Sequence, residues 1–351
     1  MFPNRIKRLI VFTQLALLAA AGPAFASAAK IYVADEGANT VSVIDAASFK
    51  KIASIPVGQG PHNVQVAPDG KRVWVTNNGE PGKTAEKTHS QQMPKSEHAA
   101  MPGAGFGAVW VIDTATNAVV AKVPVGRHPA HVVVASDGLS AYVTNGGDGS
   151  VSVVDTAARR VVEVIAVGAS PHGLRISPDG TQIWVANLKS GTVSVIDTAS
   201  RKQVATIVVG KGPAQVAFTL DGRFGLVSLS EENQVAVIDL ASRKLIRKLA
   251  VGTVPIQLFA TPDSTLVLVA NQGTPKKPGM TVSVIDIASL EVTATIKTGA
   301  GTHGVVIDRD GRHGFVTNTY ANTVSVIDIA KRKIVATVPV GKGPNGISMA
   351  P

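Results

Sequence analysis

The chain has 351 residues, a formal charge of +10, no cysteine and only 4% aromatic residues. Without cysteine there is no disulfide, no thiol-linked lipid anchor and no covalent haem attachment. Sparse aromatics leave few stacking surfaces for a sugar, a quinone or a tetrapyrrole.

Taken in chain order, Arg5, Lys7 and Arg8 precede an apolar stretch, Leu9–Ala21, and the small residues Ala24 and Ala26 flank Phe25. That order is a secretory signal peptide over residues 1–26, cut most simply after Ala26, which lowers the formal charge to about +7. The apolar stretch is too short to favour a retained membrane helix. The expected location is the periplasm of a Gram-negative bacterium, with secretion as the alternative.

From residue 27 to 351 one unit repeats. Val-Gly recurs at Gly58, Gly126, Gly168, Gly210, Gly252 and Gly341, with Thr-Gly at Gly299, and most intervals are 42 residues. A V-x-V-I-D-like run closes at Asp45, Asp113, Asp155, Asp197, Asp239, Asp286 and Asp328. Short β-branched runs and turn signals at this period predict an all-β fold, a seven-bladed β-propeller with four antiparallel strands per blade. In the repeat from Pro171 the strands are predicted at 171–177, 182–187, 192–197 and 203–209, with Asp179-Gly180 as the first turn. Asp197 and Asn187 read as turn chemistry. Residues 30–35 form a second strand and 344–351 a first strand. The C-terminal strand is therefore expected to pair with the three N-terminal strands and close the ring.

Four histidines fall at the entry to innermost strands: His62, His172 and His303 at one position, His131 one residue later. Gln215, Gln257 and Asn345 take the same level in other blades and are candidate ligand-binding residues. Innermost strands line the channel, so these side chains are expected to form a polar collar at one mouth. Converging neutral imidazoles suit copper or zinc; a hydrated mouth is the alternative. No carboxylate occupies a collar position.

One interval is 68 residues long, and its extra residues form a polar Gly- and Pro-rich insertion over 79–108. It is expected to be flexible, to emerge on the collar face, and to carry His89, Met93, His98 and Met101 as weaker metal ligands. A smaller insertion at 272–280 belongs to the same face. The opposite face gathers turn cations such as Lys50, Arg159, Arg201 and Arg332, giving an anionic envelope polymer or nucleic acid as a possible partner. No nucleophile elbow, P-loop or isolated acid pair is present.

The sequences Y-V-T-N at 142–145, W-V-T-N at 74–77, W-V-A-N at 184–187 and F-V-T-N at 315–318, with V-S-V-I-D in several blades, resemble the YVTN family of WD40-like β-propellers. That family includes YncE-like periplasmic proteins and archaeal surface-layer proteins. The resemblance covers nearly the whole chain after residue 26 and implies the fold. One blade departs, with Leu226-Val227-Ser228-Leu229 in place of the motif. The functional expectation is a monomeric, non-enzymatic binding or scaffold protein that holds a periplasmic partner, a small ligand or a metal. A metal-dependent lactonase-like hydrolase is the enzymatic alternative.

Overall fold

The computed structural model describes residues 29–79 and 106–350. The signal peptide read at 1–26, and His89, Met93, His98 and Met101, lie outside the described residues. Within them there are twenty-eight strands and no helix, and no helix is long and apolar enough to cross a membrane.

The strands form seven four-stranded antiparallel sheets. Six sheets take four consecutive strands each, and their innermost members are β4 (Pro61–Val66), β8 (Pro129–Val134), β12 (Pro171–Ile176), β16 (Pro213–Phe218), β20 (Pro255–Ala260) and β24 (Thr302–Ile307). The seventh joins the two ends: β28 (Pro344–Met349) pairs with β1 (Lys30–Asp35), followed by β2 (Thr40–Asp45) and β3 (Lys50–Pro56). Ile31 faces Met349, and Val33 faces Ile347 across that seam. Closure thus ties the tail to the head and removes two free sheet edges.

The valines and isoleucines pack between blades. Trp184 and Val195 of one blade meet Phe218, Val227 and Leu229 of the next, with the Trp184 and Phe218 rings edge to face at 5.3 Å. Each such side chain contributes roughly 1.5–3 kcal/mol on burial. The outermost strands are half wet, and lysines such as Lys50, Lys202 and Lys244 discourage pairing with another sheet.

Two motifs of the repeat explain each other. Asn187 ends a second strand and donates to Thr192 Oγ1 (3.2 Å) and Ser194 Oγ (3.0 Å) of the third. A Cβ on Gly168 of the Val-Gly pair would stand 2.6 Å from Asn187 Cγ, so only glycine leaves room for the knot. Asn145, Asn271 and Asn318 make the same pair of bonds, and Asp35 receives them from Thr40 and Ser42.

Strand structure enters both insertions where the structure describes them. The strand after the larger one, β6 (Phe106–Asp113), already begins at Phe106, which pairs with Arg127. Residues 272–280 are mostly strand, a hairpin extension of Leu266–Thr274 on Lys277–Asp286. Both extensions gain ladder hydrogen bonds that a free loop would leave to water.

Candidate functional site

In every blade the innermost strand carries one extra residue against the second strand. Pro171 faces Asn187 and Leu174 faces Val185, so His172 and Gly173 together oppose Ala186. The same bulge recurs at β4, β8, β16, β20, β24 and β28. A bulge re-aims side chains, and here it turns two successive residues toward the channel mouth. The first position holds His62, His172, His303 and Asn345; the second holds His131, Gln215 and Gln257.

The threonine of the Y-V-T-N motif stands opposite this bulge and fixes it. Thr144 Oγ1 accepts from His131 N at 2.9 Å and donates to the His172 carbonyl, in the next blade, at 2.7 Å. Thr76, Ser228 and Thr317 bridge their neighbours in the same way. Where Ala186 replaces that threonine, the His172 ring makes the tie instead, with Nδ1 2.9 Å from the Ala214 carbonyl.

This contact sets the tautomers of the collar. A carbonyl only accepts, so His172 carries its proton on Nδ1 and presents a bare Nε2. His62 Nε2 lies 3.1 Å from it and is therefore the donor. His62 Nδ1 then accepts from the Asn345 amide at 3.1 Å, and the same amide donates to Glu36 Oε2 at 2.6 Å. On the far side, Gln215 Oε1 accepts from Val216 N (2.9 Å), which turns Gln215 Nε2 toward His131 Nδ1 at 3.3 Å. His131 Nε2 is left buried without a partner, as are His303 Nδ1 and Gln257 Nε2.

One ligand atom from each of His62, His131 and His172 lies within 4.8 Å of the others. His303 packs against His62 with ring centroids 6.4 Å apart and stands outside that trio. Burial, and then the neighbouring imidazoles, hold His131 well below its usual range, His172 at about 4 and His303 at about 3. All three are neutral at pH 7. Burial opposes the ionisation of Glu36, but the neighbouring His62 and Asn345 side chains bring it down to about 2. The collar therefore presents neutral nitrogens beside one fixed carboxylate, which favours a cation.

Above the trio lies an open depression of about 450 Å³, lined by Glu36, His62, Asn78, His128, His172 and Lys189. No innermost-strand collar position holds a carboxylate, as expected, but Glu36 reaches the collar from the turn between β1 and β2, with Oε2 3.7 Å from His62 Nδ1. Its signal was the residue that follows the Y-V-T-N position, where other blades have Asn78, Leu188 or Ser230. His128 was also missed, and stands at positive φ where other blades have Gly60, Gly212 or Gly343.

On the opposite face, many of the turn cations tie neighbouring structure. Arg159 donates to the Val120 carbonyl, Arg332 to that of Thr293, and Arg201 lies 3.9 Å from Glu163. Their charge is partly committed.

A family model described as a YNCE-like β-propeller matches residues 263–350. A second, described as the cytochrome D1 heme domain, matches residues 103–212 and 128–264. No curated protein sequence matches the chain. Among solved structures, hydrazine synthase of Kuenenia stuttgartiensis is 23% identical with a TM-score of 0.69, covering 82% of this chain and 89% of its own. A protein of unknown function from Desulfotomaculum acetoxidans is 16% identical at a TM-score of 0.72, covering 92% and 98%. The dihydro-heme d1 dehydrogenase NirN is 18% identical at 0.63, covering 91% of this chain and 74% of that one. At such identities these structures share the fold. A tetrapyrrole does not fit the collar. Three imidazoles gather their nitrogens within 4.8 Å of one another instead of offering a single nitrogen beneath a flat ring. Imidazoles are also the only aromatic rings among the residues lining the depression.

Proposed function

Because the chain belongs to the YncE-like β-propellers, we propose that it is a binding protein of the bacterial cell envelope that holds one copper or zinc ion in the collar. The observation that carries this reading is the convergence of His62, His131 and His172 with their ligand atoms within 4.8 Å. Two nitrogens on a tetrahedral ion at 2.0–2.1 Å stand roughly 3.3–3.4 Å apart. The His62 and His172 Nε2 atoms are already 3.1 Å apart.

Second-shell chemistry supports the same reading. A metal-bound imidazole needs an acceptor for its other N–H. His172 has the Ala214 carbonyl in place, and His62 has Glu36 beside its Nδ1. For His131 to bind through Nε2, Gln215 must turn its carbonyl toward Nδ1. In this reading the collar residues bind and orient, and the proposed envelope location rests on the signal peptide read in the sequence at residues 1–26.

The test is metal uptake by the mature protein. Copper or zinc is expected at one ion per chain, and replacing His62, His131 and His172 by alanine is expected to weaken binding at least about a hundredfold. Uptake equal to that of the triple variant removes the proposal. Glu36 also favours a second reading, a metal-assisted hydrolase in which this carboxylate accepts a proton from water. Lactone hydrolysis that requires both metal and Glu36 distinguishes it from a binding protein.

A further inference from the structure

At its other end the channel holds a charge that no acidic side chain among the described residues answers. Arg175 lies three residues beyond His172 on β12 and faces the channel at the level of Gln65, Phe259, Val306 and Ser348. Its guanidinium stands 5.3 Å from the Phe259 ring. Among the described residues it has no carboxylate within 4 Å and no hydrogen bond; burial is the one influence on its titration, lowering it to about 10. It is therefore a cation at neutral pH, half-buried in the channel with no counter-charge among the described residues. Chains seldom keep such a group for stability, since an apolar side chain of similar size would be cheaper.

Around it lies a cavity of about 240 Å³. The donors facing it are few. Ser348 Oγ accepts from Val66 N at 3.1 Å, so its hydroxyl hydrogen is free to be given. The Gln65 amide gives one of its two N–H to the Val66 carbonyl and keeps the other. Arg309 stands exposed at the rim. The remaining walls are apolar: Phe259, Val306, Ile307, Ile347 and Met349. Among the described residues no acidic side chain lines the space.

We propose that this second mouth binds a small organic monocarboxylate, with its carboxylate on Arg175 and its apolar body against Phe259 and Ile347. A planar guanidinium matches a carboxylate with two parallel N–H bonds. Ser348 supplies a third donor, and Arg309 steers the anion at the entrance. A phosphate dianion would need a denser set of cations and donors than one half-buried guanidinium, one hydroxyl and one amide N–H, and would waste the apolar wall. The inference is independent of whether the collar holds a metal.

Calorimetric titration of the mature protein with benzoate tests it, with benzamide as the uncharged isostere and inorganic phosphate as a third arm. Benzoate is expected to bind once per chain, with benzamide at least about tenfold weaker and phosphate no better than benzamide. Arg175→Met is expected to lower benzoate affinity at least about tenfold while keeping or raising the melting temperature, and Arg309→Ala to lower it about threefold. Should Arg175→Met fail to fold, Arg309→Ala and the benzamide comparison still decide the matter. No saturable benzoate binding, equal binding of benzamide, a preference for phosphate, or undiminished binding by a folded Arg175→Met protein each overturns the proposal.

Discussion

Two rings of polar side chains circle the axis, and they differ in how faithfully the blades copy them. In the outer ring, Asn145, Asn187, Asn271 and Asn318 each tie two hydroxyls of the neighbouring strand, and Asp35 does the same with its acceptors. In the inner ring the backbone bulge is equally constant, but the side chain it carries is His, Ala, Ile or Asn from blade to blade. A side chain that five of the seven sheets keep in one role is architecture. One that varies on an unvarying backbone is released from the fold and free to serve a ligand.

The sharpest way to break that contrast is to damage the outer ring. Gly168→Val puts a branched side chain where even a Cβ would lie 2.6 Å from Asn187 Cγ. We expect a loss of about 2–4 kcal/mol in urea unfolding, from overpacking and from breaking a buried hydrogen-bonded knot. Metal affinity of the protein that remains folded should not change. A change in affinity with little loss of stability would mean that the two rings are not separable.

The reverse experiment touches the inner ring alone. Glu36→Gln keeps the size of the side chain and removes the charge beside His62. As Glu36 acts through His62, metal affinity should fall about 10- to 100-fold, more steeply as pH is lowered, with a lower melting temperature at neutral pH because the ionised carboxylate also supports the fold. Equal affinity at every pH would leave the carboxylate without a part in the site.

Acid reads the same ring through stability. His172 and His303 titrate at about 4 and about 3 in the folded chain, and His131 also lies far below its unfolded value near 6.5. Between those values the unfolded state binds more protons, so stability is full above pH 6.5 and is lost as pH falls toward 4. The slope is at most about 1.4 kcal/mol per pH unit for each imidazole. Glu36, held at about 2, adds a loss of the same sign below pH 4.5, while the Arg175 charge stays constant throughout. Replacing His131 by asparagine should flatten the curve between pH 6.5 and 4; an unchanged slope would show that His131 is not buried neutral.

The outer ring was legible in the sequence because repetition is itself a signal. Seven copies of one spacing gave the strands, the turns and the seam between residues 30–35 and 344–349. The histidines were legible for the opposite reason, as departures from a register already known. Glu36 was not, since it enters from a turn whose reach depends on side-chain direction rather than on spacing. Arg175 escaped for a related cause. One charged residue in a strand looks like a solvated face until the bulge beneath His172 shows that both point into the channel. The role of the Y-V-T-N threonine, which pins the bulge and thereby the imidazoles, needs the next blade to be visible.

The finest cut through the comparison lies at Ala186, where the two rings trade places. Here the repeat lacks its threonine, and His172 binds the Ala214 carbonyl that a threonine would otherwise reach. Restoring the motif with Ala186→Thr gives that carbonyl a hydroxyl donor, as Thr144 gives the carbonyl of His172. A carbonyl has two lone pairs, so the ring need not be expelled, but its preference for the Nδ1–H tautomer weakens. The bare Nε2 is then presented less often, and metal affinity should fall only about threefold, within what one shared hydrogen bond contributes. The ¹⁵N shifts of the His172 ring would report the change directly, as Nδ1 loses proton occupancy and Nε2 gains it. An unaltered tautomer with unaltered affinity would mean that the missing threonine is incidental to the collar; an altered tautomer with weaker binding would show that losing one copy of the repeat's own side chain is what prepared His172 as a ligand.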